Sequence, residues 1–317
     1  MLAPPRCSGL QQQRRRVLVV TASIAAVLLL WPWLSLLTST AYTYLWWLRP
    51  EVHWAPTPAA VASNSSLANS AVPKVIHQTW KTTEVPAKWA AARQSCIDLH
   101  PDYEHRLWTD EDGLNFISEH YPWFLPTYRS YPYAIQRVDV VRYFLLHHYG
   151  GLYLDLDVGC KKRLDFMRAA NFTAPMTNPV GISNDVMAAA PGDAYLGYAV
   201  RRLRHWNRWM GIKYIQVMFS TGPMFLTVQY SLFPKRDDVA IVNKRVYGKY
   251  EVTEDAAFYH LHGSSWHADD AALIFWLDRH KLALVVAGSL LAACLAGSVL
   301  LRWVLQSGRY RPLKSEE

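Results

Sequence analysis

The chain has 317 residues and a formal net charge of +8, which is enough length for one sizeable domain with a hydrophobic core. The positive charge is concentrated at the ends: residues 1–16 hold four arginines and no acid, and residues 302–317 hold four basic and two acidic residues. Because the middle of the chain is nearly neutral, this charge does not indicate nucleic-acid binding, and we expect no nucleic-acid partner.

Two long, uncharged, apolar segments adjoin the basic ends. Residues 17–37 and 282–301 comprise 21 and 20 residues, each long enough to cross a hydrocarbon core of about 30 Å. The positive-inside rule then places both basic tails in the cytosol and the residues between the two segments on the other side. A cleaved signal peptide is the alternative for the first segment, because Pro32 interrupts it and small residues follow it. We expect two transmembrane helices.

The region between the two predicted spans carries features that agree with an extracytosolic location. Asn64 and Asn171 begin N-glycosylation triplets, although such triplets are common by chance. Cys96 and Cys160 would lie in an oxidising compartment. The sequence leaves open whether these two cysteines pair, because it does not set the distance between them.

The same region alternates between strand-like and helix-like segments. After an interfacial segment and linker at 38–72, the alternation predicts an α/β domain over 73–267, followed by a membrane-proximal connector at 268–281. The predicted strands are Val75–Trp80, Tyr103–Trp108, Leu152–Asp157, Val186–Ala190, Val239–Val242 and Phe258–Leu261. The predicted helices are Lys88–Leu99, Asp110–Glu119 with Asp110 as its cap, Tyr133–His148, Asp193–Trp206 and Pro223–Ser231.

Two carboxylates end one of the apolar strand predictions. In an extended strand Asp155 and Asp157 point to the same side, because alternate residues share a face. Two like charges close together are costly unless a cation offsets them. Carboxylate oxygens suit Mg²⁺ or Mn²⁺, which can also bridge a diphosphate. A solvated strand end at a turn is the alternative, so this motif alone is weak evidence for a metal site.

The helix predicted just before this strand strengthens the evidence. It carries Asp139 and Arg142 at i and i+3 beside an apolar stripe, where a surface salt bridge is the alternative interpretation. Gly150 and Gly151 end the helix and lead directly into the carboxylate strand. Four charged residues and two glycines therefore fall within 19 positions, which favours a functional site.

A resemblance to the DxD glycosyltransferase family with a GT-A fold is carried by the string Asp139-x-x-Arg142-Tyr143 … Gly150-Gly151-x-Tyr153-x-Asp155-x-Asp157. It covers roughly residues 73–267 and takes in the opening strand at 73–80. Looser matches are Asn184-Asp185, Thr221-Gly222-Pro223 and His262-Gly263-Ser264-Ser265-Trp266. The resemblance implies a GT-A-like nucleotide-sugar-binding domain with a mixed central sheet, here flanked by the two transmembrane helices.

The resemblance also implies roles for the charged residues. Asp157 would ligate Mn²⁺ or Mg²⁺, and Asp155 would contact the ribose and the sugar of the donor and reach the metal through water. Asp139 and Arg142 would hold the sugar hydroxyls. Retention of configuration is implied, and we favour same-face attack with the leaving phosphate as base. Asp185 is the carboxylate to test as a further participant.

The nucleotide side of the site would use two groups of residues. The residues that would line the nucleotide are His77, Gln78 and Thr79. The residues that would close over the diphosphate are His262, Ser264 and Trp266. His262 would also be a metal ligand, and His260 and His267 compete with it for that role.

The choice of acceptor depends on topology. Trp266 is only 16 residues from the second predicted span, about 24 Å if the connection is helical. This short distance favours a lipid acceptor. The alternative is that the second span only anchors the protein. A compact domain between two spans resembles most the inositol phosphoceramide mannosyltransferases. The expected function is therefore transfer of mannose from GDP-mannose to the inositol of inositol phosphoceramide, in sphingolipid biosynthesis. The expected location is the Golgi membrane with a lumenal catalytic domain, and the expected partner is a membrane regulatory subunit.

Three alternatives stay open. Within the family, the acceptor would be an N-glycan or another glycolipid, or the donor would be UDP-galactose. The segment at 155–158 also resembles the nucleophile loop of haloacid-dehalogenase-type phosphatases, but that interpretation leaves Asp139, Arg142 and the double glycine unexplained. A non-catalytic lipid-binding subunit is the third, and the intact set of charged residues argues against it.

Overall fold

The computed structural model describes residues 8–48, 52–62, 70–178, 180–251 and 253–261, with single positions at 276, 279, 280, 297 and 298. The chain divides into two compact units. The first comprises residues 1–211 and 215–263, and it contains the sheet and every site discussed below. The second comprises residues 212–214 and 264–317, most of which lie outside the described residues.

A seven-stranded mixed sheet forms the centre of the first unit, in the order β1-β8-β6-β7-β4-β2-β3. These strands are β1 (His53–Trp54), β2 (Val75–Thr79), β3 (Glu104–Trp108), β4 (Gly151–Leu154), β6 (Phe172–Pro175), β7 (Val186–Ala189) and β8 (Val239–Val242). A separate antiparallel pair joins β5 (Val158–Cys160) to β9 (Phe258–His260). The α/β class and the mixed central sheet are thus confirmed.

Helices cover both faces of this sheet. They are α1 (Ser8–Trp46), α2 (Pro58–Ala62), α3 (Ala87–Leu99), α4 (Asp110–His120), α5 (Leu125–Ser130), α6 (Ala134–Tyr149), α7 (Ala194–Val200), α8 (Leu203–Trp206), α9 (Lys213–Ser220), α10 (Pro223–Leu232) and α11 (Lys244–Tyr247). Buried side chains form two hydrophobic clusters. Tyr153 belongs to one and its neighbours Leu152 and Leu154 to the other, because successive strand residues face opposite sides of a sheet.

Three sequence predictions need local correction. The strand predicted at Leu152–Asp157 ends at Leu154 and continues as β5 only after a turn at residues 156–157. The helix predicted at Asp193–Trp206 is divided into α7 and α8, with Asp193 as the cap of α7. Thr109, not Asp110, caps α4, because Thr109 accepts the backbone N–H of Asp112 and the Asp112 carboxylate accepts in return.

The double glycine sets how closely β4 approaches β2. Gly151 has a φ of +95°, and a Cβ there would lie 2.6 Å from the carbonyl oxygen of Val75 on the neighbouring strand. Gly150 has a φ of +67°, and a Cβ there would lie 2.6 Å from Cδ of Pro191. Only glycine fits both the backbone conformation and the space. These two residues therefore place the strand that carries Asp155 directly beside β2.

The first predicted span, residues 17–37, lies within α1, which is 39 residues long and exposes Val17, Leu18 and Leu37 by 55–67%. The second, residues 282–301, lies outside the described residues except for positions 297 and 298. Among the helices of the described residues, none combines the length and apolar character needed to cross a membrane. Both spans stay predictions.

A disulfide between Cys96 and Cys160 settles the question that the sequence left open. It joins α3 to β5, with the two Cα atoms 4.8 Å apart and 64 positions between them in the chain. This bond holds the end of β5, the strand that directly follows the turn at residues 156–157, against α3.

We expect the double variant Cys96→Ser/Cys160→Ser to have a free energy of unfolding about 2–4 kcal/mol lower than the parent protein, because the crosslink restricts the unfolded chain. Thermal unfolding followed by circular dichroism measures this loss. Reductant should lower the unfolding temperature of the parent protein and leave that of the double variant unchanged. Equal sensitivity of both proteins to reductant would contradict a stabilising role for the bond.

Candidate active site

The carboxylate motif lies at one edge of the central sheet. Asp155 directly follows β4, while Asn184 and Asp185 directly precede β7, which runs antiparallel to β4. The two segments therefore meet at the same edge, and the backbone N–H of Asp155 donates to the carbonyl oxygen of Asp185 at 2.8 Å. Sheet topology thus brings together residues that are 30 positions apart in the chain.

Arg142 on α6 is the centre of this arrangement. Its guanidinium lies 3.2 Å from the Asp155 carboxylate and 3.3 Å from the Asp139 carboxylate. The same group donates to the carbonyl oxygen of Asn184 at 2.8 Å and lies over the Tyr153 ring, 4.6 Å from its centroid. Arg142 and Asp139 are both buried, so the predicted pair is an internal bridge and not a surface salt bridge.

Asp139 is surrounded by hydrogen-bond donors as well as by Arg142. The Asn184 amide donates to one of its oxygens at 3.0 Å, and the Thr221 hydroxyl donates to the other at 3.0 Å. Tyr143 completes this network: its hydroxyl accepts from the Asn184 amide and donates to the Thr221 carbonyl oxygen. The Asp139 carboxylate is thereby fixed in one orientation.

A hydrogen-bonded chain that begins on β2 also holds Asp155. The Tyr153 hydroxyl donates to Asp155 at 2.8 Å, and it lies 2.8 Å from the Thr79 hydroxyl. Since the Tyr153 proton goes to Asp155, Thr79 is the donor in the second bond. Thr79, Tyr153 and Asp155 therefore form a hydrogen-bonded chain that ends at the motif.

The charge on Asp155 is costly to bury. Burial raises its pKa to about 7, with Asp157 and Asp185 adding to the rise, while Arg142 opposes it. One guanidinium therefore does not fully offset the cost of burying this carboxylate. The Asp155 side chain is still 31% exposed, so its free side can be reached by a cation or a polar ligand.

Asp157 lies in the turn between β4 and β5, and its carbonyl oxygen accepts the backbone N–H of Leu261 at 2.9 Å. The pairing of β5 with β9 places His260 opposite Val158, one residue beyond Asp157. His260 Nδ1 lies 3.8 Å from the Asp185 carboxylate. Burial lowers the pKa of His260, and the Asp185 carboxylate opposes this shift.

Asp185 has a binding environment of its own. Its carboxylate accepts from the Tyr247 hydroxyl at 2.5–2.6 Å, from the Ser183 hydroxyl at 2.7 Å and from Lys249 Nζ at 2.9 Å. Burial alone would raise the pKa of Asp185, but Lys249 and His260 outweigh it and lower the pKa below its usual value. Asp185 is therefore an ionised carboxylate whose oxygens are already engaged.

This environment predicts a pH dependence of stability. Because the folded-state pKa of Asp185 is lowered, its contribution is present above the unfolded value of about 3.9 and is lost as the pH falls below it. Thermal melts between about pH 5 and pH 2 should show a shallower decline for Asp185→Asn than for the parent protein. The exposed Asp255, changed to asparagine, is the control and should retain the parent slope.

The predicted nucleotide-lining residues have different environments. His77 is buried with both ring nitrogens engaged: Nδ1 accepts from Trp108 Nε1 at 3.1 Å, and Nε2 donates to the Gly150 carbonyl oxygen at 2.9 Å. Burial lowers the pKa of His77 to about 4, so the ring is neutral. Gln78 is also buried, and within the described part of the chain its amide nitrogen has no hydrogen-bond partner.

The residues predicted to close over the diphosphate, His262, Ser264 and Trp266, lie outside the described residues, as does His267. Their roles stay predictions. Among the described residues, no group of three or more histidine, cysteine, aspartate or glutamate side chains is arranged to hold a metal ion. At the turn of residues 156–157, Asp155 and Asp157 supply two carboxylates, which is fewer ligands than a complete protein metal site has.

The structure adds residues to which the sequence analysis gave no role. Tyr153 follows from the strand pattern, because it shares the face of Asp155 two positions later. Tyr143 and Thr221 belong to the quoted motifs, but their contacts with Asp139 and Asn184 depend on the segment between α9 and α10 lying against α6. Tyr247 and Lys249 lie more than 60 positions from Asp185, and no local pattern marks them.

Comparison with known proteins places this site in a family. The model described as "Glycosyltransferase sugar-binding region containing DXD motif" matches residues 86–181. Inositol phosphoceramide mannosyltransferase 2 of Schizosaccharomyces pombe is 43% identical over 241 residues, covering 74% of this chain and 69% of that protein. The S. pombe mannosyltransferase 3 is 48% identical, covering 69% of this chain and 62% of that protein.

A third relative, mannosyl phosphorylinositol ceramide synthase SUR1 of Saccharomyces cerevisiae, is 45% identical over 68% of this chain and 57% of its own length. This chain thus spans less than two thirds of two of the three relatives. Among solved structures, the galactosyltransferase LgtC has 13% identity and a TM-score of 0.36, over 62% of this chain and 90% of its own. The identity and coverage of the curated relatives show that the chain belongs to the family of DxD-motif glycosyltransferases that contains these mannosyltransferases.

Proposed function

We propose that this chain transfers mannose from GDP-mannose to the inositol headgroup of inositol phosphoceramide, with retention of configuration. The observation that carries the proposal is the buried Asp139–Arg142–Asp155 bridge beside the turn that contains Asp157. It occurs in a chain 43–48% identical to three enzymes named for this reaction or its product. Transfer to an N-glycan or to another glycolipid stays the alternative within the family.

The carboxylates of the motif fit a divalent cation. Asp155 has a raised pKa because burial and neighbouring carboxylates disfavour its charge, and a cation on its exposed side would relieve this cost. Mg²⁺ is commonly held by one or two carboxylates together with substrate phosphates, so the pair of Asp155 and Asp157 is sufficient. When bound, Mn²⁺ or Mg²⁺ would offset the negative charge that develops on the leaving diphosphate.

The described residues have complementary tasks in this proposal. Asp139 and Arg142 are oriented by Asn184, Thr221 and Tyr143, and a rigid set of donors and acceptors suits recognition of sugar hydroxyls. The unpartnered amide nitrogen of Gln78 supports a polar contact with the nucleotide, because buried donors usually find a partner.

Asp185 is better suited to positioning than to nucleophilic attack. Tyr247, Ser183 and Lys249 already occupy its oxygens, which stabilises the carboxylate and lowers its reactivity. This environment favours same-face attack, with the leaving phosphate accepting the proton of the inositol hydroxyl. Asp185 would then keep Lys249 close to the carboxylate motif.

The membrane location is also part of the proposal. The exposed apolar stretch of α1 and the predicted span at 282–301 would hold the catalytic domain at the bilayer surface, where a lipid headgroup is accessible. The Cys96–Cys160 disulfide supports a lumenal location, since disulfides persist in oxidising compartments. We place the enzyme in the Golgi membrane, with a membrane regulatory subunit as its partner.

A transfer assay tests the function directly. Purified full-length protein is incubated with GDP-mannose and inositol phosphoceramide, with and without chelator, and products are identified by mass spectrometry. We expect a product heavier by one hexose, formed only when divalent metal is present. Mannosylation of free N-glycans without mannosylation of inositol phosphoceramide would overturn the acceptor, and activity with UDP-galactose alone would overturn the donor.

A further inference from the structure

A cavity away from the carboxylate motif lies where α1 packs against the catalytic domain. It has a volume of about 480 Å³, within the range of roughly 300–1,000 Å³ typical of small-molecule sites. Its polar lining comes from α1, from the α7–α8 region and from α10: Ser35, Ser39, Arg201, Arg202, His205 and Gln229. No acidic side chain occurs among the lining residues that the structure describes.

Gln229 is the residue that points to a ligand. Its side chain is fully buried, and within the described residues neither its amide nitrogen nor its amide oxygen has a hydrogen-bond partner. Leaving both atoms unpaired is costly, and native buried amides are rarely left this way. A bound molecule with hydroxyl or phosphate oxygens in this cavity would satisfy them.

The remaining polar groups favour an anion. Arg201 and Arg202 place two permanent charges at the cavity, and the His205 ring lies 3.3 Å from the Ser35 hydroxyl. Arginine binds phosphate through several parallel hydrogen bonds. Serine hydroxyls and an amide suit the neutral part of a polyhydroxylated headgroup. The chemistry of the lining is therefore that of a phosphate ester bearing hydroxyl groups.

The position of the cavity on α1 favours a lipid over a free phosphate. Just before and beside Ser35, α1 exposes Trp31, Leu34 and Leu37 by 48–67%, whereas Leu36 and Thr43 are buried against the domain. The cavity thus lies where the helix surface changes from exposed and apolar to packed. A headgroup in the cavity would leave its acyl chains beside this apolar surface.

The cavity is separate from the carboxylate site. Trp206 forms part of its wall and contacts Phe225, with ring centroids 6.1 Å apart, and Phe225 contacts Tyr143 at 6.3 Å. Tyr143 in turn binds Asn184 in the active site. Two layers of aromatic side chains therefore lie between the cavity and the residues that would hold the donor.

We propose that this cavity binds the phosphate-bearing headgroup of an anionic membrane lipid, as a site distinct from the acceptor site. The proposal rests on the membrane location of α1 given above. Such a site would fix α1 against the catalytic domain when the surrounding bilayer contains anionic lipid.

Binding to the full-length protein in detergent tests this site. The probes are dioctanoyl phosphatidylglycerol, which carries no inositol, dioctanoyl phosphatidylcholine and inorganic phosphate, each titrated by calorimetry. We expect saturable binding of phosphatidylglycerol, and on the order of tenfold weaker binding for Arg201→Glu. Arg204→Glu is the matched control, because Arg204 is exposed three positions later, in α8, but does not line the cavity. It should change the affinity less than twofold.

Gln229→Leu separates a binding role from a structural one. Replacing an unpartnered buried amide with an apolar side chain should not lower the unfolding temperature, yet it should weaken phosphatidylglycerol binding at least threefold. Equal losses in Arg201→Glu and Arg204→Glu, binding of inorganic phosphate as tight as that of the lipid, or unaltered binding in Gln229→Leu would each overturn the proposal.

The outcome is independent of the transfer reaction. Asp157→Asn should greatly slow mannosyl transfer and leave the affinity for phosphatidylglycerol unchanged. Lipid binding without any transfer by the parent protein would reject the proposed function alone. Transfer by the parent protein without lipid binding would reject this cavity site alone.

Discussion

Replacing Asp157 with asparagine is expected to lower the rate of mannosyl transfer by about 10²–10³-fold, the loss typical of removing one group from the set that stabilises transition-state charge. Asp157 would hold the divalent cation that offsets the negative charge on the leaving diphosphate. Asparagine keeps the size of the side chain and the turn between β4 and β5. The variant should therefore fold normally while requiring at least about tenfold more Mn²⁺ for half-maximal activity. Initial rates at a series of Mn²⁺ concentrations, with mannosyl inositol phosphoceramide quantified by mass spectrometry, measure both effects.

Asp255→Asn is the matched control for this variant, because it removes the same charge from an exposed ion pair with Arg245. It should retain the parent rate and the parent Mn²⁺ dependence. Retention of full activity by Asp157→Asn would show that the motif is not the metal site, and the donor site would then have to lie elsewhere. A parallel fall in unfolding temperature would instead reveal a structural role for the side chain.

The sequence was most informative where chemistry is concentrated in a short stretch. Asp139, Arg142, Gly150 and Gly151 precede Asp155 closely enough for one pattern to connect them. The structure brings the three charged residues together at the end of β4, while the two glycines lie at its start. Even there, the pattern alone overextended the strand: the turn at residues 156–157 separates the two carboxylates, which an unbroken strand would have placed on one face.

Long-range packing set the limit of prediction. Tyr247 and Lys249 reach Asp185 only because α11 and the segment after it fold back to the residue that precedes β7, and nothing in their local sequence indicates this. His77 lies in the strand predicted for the nucleotide, yet its ring is committed to Trp108 and Gly150 on the neighbouring elements. Periodicity identifies strands and helices, whereas side-chain partners across the sheet depend on the strand order.

The sequence analysis also did not predict two strands on one side of the sheet, β1 and β6. The segment predicted as interfacial contributes β1, which pairs with β8, and the short strand β6 lies between β7 and β8. Two-residue and four-residue strands of this kind carry too little alternation to be recognised. The mixed character of the sheet came from the family resemblance, and the register that places Asp155 beside Asp185 came only from the structure.

Arg142→Met is expected to have the largest effect on stability, because it removes the cation shared by two carboxylates, one of them fully buried. Breaking a buried ion pair by removing one partner costs about 3–5 kcal/mol, which should lower the unfolding temperature by roughly 10 °C in a domain of this size. Calorimetry of the full-length protein measures the loss. Arg137→Met on the same helix removes one bond to the Tyr131 carbonyl oxygen and should cost only about 1 kcal/mol.

The pH dependence of Arg142→Met distinguishes lost charge from lost packing. Without the guanidinium, burial raises the pKa values of Asp139 and Asp155 further above their unfolded values. The folded state then binds protons more tightly than the unfolded state, so the stability of the variant should rise as the pH falls from 7 to 5. Adding Asp139→Asn should recover part of the stability at pH 7 but none of the transfer activity, because Asp155 still lacks its cation and the sugar site its guanidinium. If the variant loses the same free energy of unfolding at pH 7 and at pH 5, Arg142 acts by filling space. Another cation or hydrogen-bond donor would then have to offset the charge of the carboxylates around it.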